Sequence, residues 1–290
     1  MSASELISNK INDDIVESMY ERFSECINSR GLLNDLSSLT LLFSCGKDCS
    51  VLLDLILRYF EENSFNIDFS VFSVLYPIHM YYYDDGTERK VVNEIREYWL
   101  SRGIDIKFVL PDDLDIDSCK SSACKQCKKV RKAIIDPYVN SQVKKTGILT
   151  GFSIFDALAY LDMFLLNCGY DISKICDLPD DLKRTSTKML HKISLREYLP
   201  TEKYMIRPLL IFNDIEIISY LKEKQIPYNS VECMAYRSKF KRKYAQALSI
   251  HGIIPNYEDI ECFFDRNGIV INNNGLSFDD VVTDNYFVDC

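Results

Sequence analysis

Apolar positions along the 290-residue chain fall into short blocks that alternate between two spacings. From Ile15 to Leu33 they recur at helical intervals among charged residues, which predicts an amphipathic packing helix ahead of the main body. Leu39 to Phe43 is a continuous apolar run, as a strand buried on both faces of a parallel sheet requires, and a polar turn and a helical run from Val51 to Phe60 follow it. Further strands are expected near Phe69–Leu75, Ile106–Leu110 and Ile148–Thr150, separated by helices near Val91–Ser101 and Lys128–Val143 and followed by one near Ala157–Asn167. Strands separated by helical segments imply crossover connections and an α/β fold with a doubly wound parallel sheet, in which ligands sit beyond the carboxyl ends of the strands.

The periodicity weakens between Gly169 and Lys203, so an irregular insertion near 169–203, mobile or covering the site, is expected there. Helices near Asp214–Lys224 and, with a strongly basic composition, near Arg237–Leu248 come next. A final stretch containing Asn272-Asn273-Asn274-Gly275 and many Asp residues reads as a loose tail. The expected organisation is a helical segment over 1–36, a main α/β domain over 37–250 and a tail over 251–290.

Composition narrows the function classes. Hydrophobic residues make up 47% of the chain, enough for a sizeable core. There is no apolar run of about 18 residues and no signal-like N-terminus, so a cytoplasmic protein outside the membrane is expected. Eleven cysteines without an export signal make a disulfide framework a poor explanation and bring metal or sulfur chemistry forward. The formal charge of −9 argues against a generally basic surface and leaves room for a local basic patch.

Ser44-Cys45-Gly46-Lys47-Asp48-Cys49 forms the turn directly after the first core strand. Backbone N–H groups there and at the start of the next helix suit phosphate oxygens. Ser44 adds a hydroxyl, Lys47 a positive charge and Asp48 a carboxylate able to hold magnesium. Lys47 is followed by Asp48 rather than Ser or Thr, so this is not a Walker A loop. The segment resembles the SGGxDS signature of PP-loop ATP pyrophosphatases, with Cys45 in place of one glycine and Cys49 in place of the final serine.

Cys124 and Cys127 form a C-x-x-C pair able to share one metal or cluster. Gly151-Phe152-Ser153-Ile154-Phe155-Asp156, Met205-Ile206-Arg207-Pro208-Leu209 and Cys233 follow in an order similar to that of the TtcA-type tRNA 2-thiocytidine synthetases, a divergent likeness running from about Leu41 to Cys233. The resemblance implies a PP-loop (adenine nucleotide alpha hydrolase-like) fold. It also implies ATP-dependent thiolation, with Cys124, Cys127 and Cys233 as ligands of a 4Fe–4S cluster, Asp48 and Asp156 supporting magnesium–ATP, Gly151 in the nucleotide site and Arg207 in the cleft. Phe152, Ser153 and Phe155 depart from the family's two histidines and first aspartate.

The implied partners are tRNA or a free nucleotide as acceptor and a sulfide or persulfide donor, with a homodimer as the expected assembly. Phosphate contacts are expected from Lys125, Lys128, Lys129, Arg131 and Lys132 and from Arg237, Lys239, Lys241, Arg242 and Lys243. Competing readings are thiolation of a free guanine nucleotide, structural zinc with His251 or Cys262 as a fourth ligand, a lysidine-type or amide-forming ligase, and a non-catalytic RNA-binding module. Cys45 and Cys49, beside a lysine and a helix N-terminus, are further candidates for low-pKa persulfide carriers.

Overall fold

The computed structural model describes residues 3–112, 115, 123–199, 201–233, 255–267, 269–272 and 275–278, with the backbone alone for 3–14, 176 and the segments after 268. The expected basic helix near Arg237–Leu248 and His251 lie outside these residues.

The helix α1 (Ala3–Ser29) leads into β1 (Ser38–Leu42), α2 (Lys47–Glu62), β2 (Asp68–Val74), α3 (Lys90–Ser101), β3 (Ile106–Val109), α4 (Ala123–Ser141), β4 (Thr146–Leu149) and α5 (Ile154–Asn167). The chain continues with α6 (Asp180–His191), β5 (Arg196–Leu199), β6 (Lys203–Ile206), α7 (Asp214–Lys224) and α8 (Tyr257–Arg266), and a hairpin of β7 (Ile269–Asn272) and β8 (Gly275–Phe278) follows. Six strands form one sheet in the order β3-β2-β1-β4-β6-β5, parallel except for the antiparallel edge strand β5. β1 lies centrally, Leu41 being level with Val71 on one side and Leu149 on the other. The chain leaves β1 toward β2 and β3 and returns on the opposite side through β4, so a crevice opens above the carboxyl ends of β1 and β4.

The apolar run of β1 is buried, as a central parallel strand requires. Its two polar residues are satisfied across the sheet: the Ser38 and Thr146 hydroxyls lie 2.7 Å apart, and those of Thr40 and Ser70 2.9 Å. α1 sends Met19, Phe23 and Ile27 into the same core as Trp99 of α3. Arg22 fastens this helix to the start of α7 by an ion pair with Glu216 and a 2.9 Å bond to the Ile211 carbonyl.

Two expectations need correction. Residues 169–203 are ordered by a short 3-10 turn, by α6 and by β5, which pairs with β6 through Arg196↔Ile206 to Leu199↔Lys203. Charge concealed this order, because α6 is an exposed helix with one buried stripe, Ser186 and Leu190, and β5 is a short edge strand. The tail beyond 251 carries α8 and a hairpin whose strands pair from Ile269↔Phe278 to Asn272↔Gly275.

One ionic cluster holds the helix that follows the phosphate turn. Asp54 of α2 is 1% exposed and accepts from Arg102 at 2.5 Å and from the Tyr220 hydroxyl at 2.6 Å. Asp54→Ala strands these partners and is expected to cost about 2–3 kcal/mol in urea unfolding, the low end for a buried pair because Arg102 and Lys224 are screened by solvent. A loss below about 0.5 kcal/mol contradicts the role.

Candidate active site

The turn from Ser44 to Cys49 occupies the crevice. Gly46 caps α2, so Lys47, Asp48 and Cys49 form its first turn and their N–H groups point out of the helix end. Cys45 takes φ +57°, a left-handed conformation that costs a residue with a Cβ about 1–2 kcal/mol and that glycine adopts freely. This is the physical reason for a glycine at that position of the SGGxDS signature. Asn229 donates from its backbone N–H to the Cys45 carbonyl at 2.7 Å and from its side chain to the Met80 carbonyl at 2.9 Å. The Tyr81 hydroxyl donates to the Ser44 carbonyl at 3.2 Å.

Lys47 reaches two carboxylates, Asp48 at 2.6 Å and Asp214 at 2.9 Å, and all three side chains are about one-quarter to one-third exposed. Burial presses the Lys47 ammonium toward deprotonation, but Asp48 and Asp214 outweigh it and hold its pKa above the ordinary lysine value. Asp214 is the residue that sequence reasoning missed. Asn213 caps α7 in a capping box with Glu216, which places Asp214 in the first turn facing the phosphate turn. The Asn-Asp-x-Glu pattern was a readable sign of that helix start, though not of its target.

The second motif abuts the first. A Cβ added at Gly151 would lie 2.9 Å from the Cys49 nitrogen, 3.0 Å from its sulfur and 3.1 Å from the Asp48 carbonyl carbon, so glycine is needed for close approach. Ser153 caps α5, with Asp156 bonded back to the Ser153 nitrogen at 3.1 Å, and the Ser153 hydroxyl is 3.5 Å from Asp214. Asp156 is thus 5% exposed and spends one oxygen on its own helix start. The half-exposed carboxylates at Lys47 are those of Asp48 and Asp214.

Arg207 faces inward. Its guanidinium donates to the carbonyls of His191 and Ser194, both at 3.0 Å, and pairs with Glu197, which ties the end of α6 and β5 to β6. It touches the site through Phe152, whose ring centroid is 5.8 Å away.

Cys124, Cys127 and Cys233 are half-buried and pack on one apolar cluster, Phe72, Val74, Tyr76 and Ala123, at the carboxyl end of β2. Two of them come from the first five residues of α4, and Cys233 arrives along the segment pinned by Asn229. Leu42, the last residue of β1 before the phosphate turn, packs on the same cluster, so the cysteines lie beside the strand end that carries that turn. Among the described residues no three His, Cys, Asp or Glu side chains are spaced to grip a single metal ion. A cubane cluster holds its thiolates farther apart than one ion does, and three soft sulfurs on an apolar floor suit it. Cys262 is exposed on α8, beside the Glu261 that pairs with Arg30 of the region after α1, and is not packed on this cluster.

The thiols of the phosphate turn do not suit persulfide chemistry. Burial pushes Cys45 up to about 12 and raises Cys49 as well, the latter against an opposing hydrogen bond from Ser44. Desolvation here outweighs the lysine and the helix end. Iodoacetamide at neutral pH is expected to leave Cys45 and Cys49 unmodified while alkylating exposed Cys262, as peptide mass mapping would show; rapid labelling of Cys45 contradicts the burial.

No protein-family model and no curated protein sequence matches the chain. Among solved structures, the U34-tRNA thiolase NcsA from Methanococcus maripaludis, with its [4Fe-4S] cluster, matches at TM-score 0.58 and 15% identity over 88% of this chain and 80% of that one. The phosphoadenylyl-sulfate reductase from Candida auris, a phosphate complex, matches at TM-score 0.41 and 13% identity over 75% and 87% of the two chains. The α/β fold with a six-stranded, mostly parallel sheet is therefore the PP-loop, adenine nucleotide alpha hydrolase-like fold. No helix among the described residues is long and apolar enough to cross a membrane.

Proposed function

We propose that this protein is an ATP-dependent sulfurtransferase that adenylates a nucleobase carbonyl oxygen and replaces it by sulfur, with tRNA or a free nucleotide as acceptor. The observation that carries the reading is the packing of three half-buried cysteines on one cluster with Leu42, at the end of the strand that leads into the α2 helix start. The likeness of fold to a tRNA thiolase supports it.

ATP phosphates would lie on the N–H groups of the first turn of α2, with the Ser44 hydroxyl donating a hydrogen bond and Lys47 neutralising charge as pyrophosphate leaves. Binding would draw Lys47 from its two carboxylates, leaving Asp48 and Asp214 to hold magnesium; Asp156 would keep the Gly151–Ser153 turn in place. The acceptor oxygen attacks the α-phosphorus, pyrophosphate departs, and the oxygen becomes part of AMP. Sulfide then adds to the same carbon, and AMP leaves with the C–O bond electrons, giving a thiocarbonyl. A 4Fe–4S cluster held by Cys124, Cys127 and Cys233 would supply an iron site for that sulfide, because three protein thiolates leave one iron unclaimed.

Exposed Lys125, Lys128 and Lys129 on α4 favour a polyanionic acceptor close to the cysteines. The formal charge of −9 favours a small nucleotide instead. The test is product analysis with magnesium, ATP, sulfide and each acceptor: AMP and pyrophosphate are expected, and ADP with phosphate would overturn the reading. A colourless protein that still forms AMP would remove the cluster from it.

A further inference from the structure

Beyond the phosphate turn the crevice wall carries a cation that has no counter-ion among the described residues. Lys192 stands half-buried just after α6. Among the described residues it has neither a hydrogen bond nor an ion pair. Its Nζ lies 5.5 Å from the Tyr160 ring centroid and 6.0 Å from that of Phe152. The two rings lie 6.2 Å apart and nearly parallel, at 21°. Among the described residues its titratable neighbours are Arg207, Lys128, Glu197 and His191, the last held below the usual imidazole pKa by burial, and the one carboxylate is already paired with Arg207. An ammonium held among cations beside aromatic faces is costly unless an anion joins it. Burial above all, then Arg207 and Lys128, holds the Lys192 pKa below the usual lysine range, with Glu197 opposing.

The placement is informative. Phe152 follows Gly151, which touches the phosphate turn, and Lys128 follows Cys127. The aromatic pair and Lys192 are therefore linked on one side to the adenylating machinery and on the other to the cysteine helix. An acceptor whose carbonyl meets both would lie beside this group. We infer that Phe152, Tyr160 and Lys192 form the subsite for the acceptor nucleotide, its base lying against the aromatic pair and its phosphate on Lys192. This inference rests on the sulfur-transfer reading and adds the recognition surface to it. A planar base with a phosphate fits because stacking and one cation recognise any nucleotide, whether in a single-stranded RNA loop or free.

The experiment is equilibrium binding of bulk tRNA and, separately, of GMP, AMP, CMP and UMP to the full chain, with ATP affinity measured on the same samples. At least one probe is expected to bind the wild type, and the class that responds identifies the source of the nucleotide. Lys192→Ala and Phe152→Leu are each expected to weaken that probe about tenfold. Lys192→Arg should restore most of the loss, and in the tRNA case Lys192→Ala should lower the salt slope by about one. ATP affinity, supplied by the phosphate turn, should stay within about twofold. Unchanged probe affinity in Lys192→Ala, no saturable probe binding by the wild type, or an equal loss of ATP affinity at retained melting temperature would each overturn the subsite. Absence of AMP formation by the wild type would instead count against the sulfur-transfer reading and leave the binding result standing.

Discussion

Gly151→Ala is expected to slow ATP cleavage about a hundredfold while leaving a folded protein. The added methyl group would meet the Cys49 nitrogen at 2.9 Å and the Asp48 carbonyl carbon at 3.1 Å, both backbone atoms of the first turn of α2. A flexible side chain could swing aside; a helix end cannot. Either α2 or the β4–α5 turn must shift: the first carries Lys47 and Asp48, assigned to the nucleotide, and the second carries Ser153, which lies beside Asp214. A displacement of this order typically costs about a hundredfold in rate, and the overpacking about 1–3 kcal/mol in stability. Steady-state AMP formation and a thermal melt measure the two effects. AMP formation within tenfold of wild type, with an unchanged melt, would mean that the two turns do not act together.

The second large effect concerns the cysteines. Cys124→Ser, Cys127→Ser and Cys233→Ser should each eliminate iron binding and the visible absorbance of reconstituted protein, and sulfur transfer with it. Cys262→Ser, on exposed α8, should change neither. ATP affinity should survive in all four, because none of these residues belongs to the turn from Ser44 to Cys49. Full iron content in the three serine variants contradicts the assignment, and stoichiometric zinc in wild-type protein prepared without added iron favours a structural ion instead. Cys262, the alternative fourth zinc ligand, is exposed on α8, next to the Glu261 that pairs with Arg30.

Much of the fold was legible because its driving signals are local. The buried run of β1, the glycine-containing turn after it and the amphipathic α2 each announce themselves within a few residues, and together they place a ligand crevice. α6 and β5 were hidden because a short edge strand and a mostly exposed helix bury too little apolar surface to leave a period. In the site, the near neighbours in sequence were readable and the long-range partners were not. Asp214 reaches Lys47 across 167 positions, and Asn229 holds the Cys45 carbonyl from a loop with no motif of its own. Arg207 shows the opposite failure, a motif residue whose guanidinium spends its bonds on His191, Ser194 and Glu197 inside the protein. The thiols of Cys45 and Cys49 looked activated beside a lysine, and only their burial reverses the sign.

The central claim is that adenylation at the phosphate turn serves exchange of oxygen for sulfur. Its most direct test is anaerobic incubation of cluster-loaded protein with magnesium, ATP, sulfide and either tRNA or guanine nucleotide, followed by mass spectrometry of the digested nucleosides. The account predicts AMP together with a nucleoside in which one oxygen has become sulfur, from one of the two acceptors. AMP without sulfur in either acceptor would contradict it.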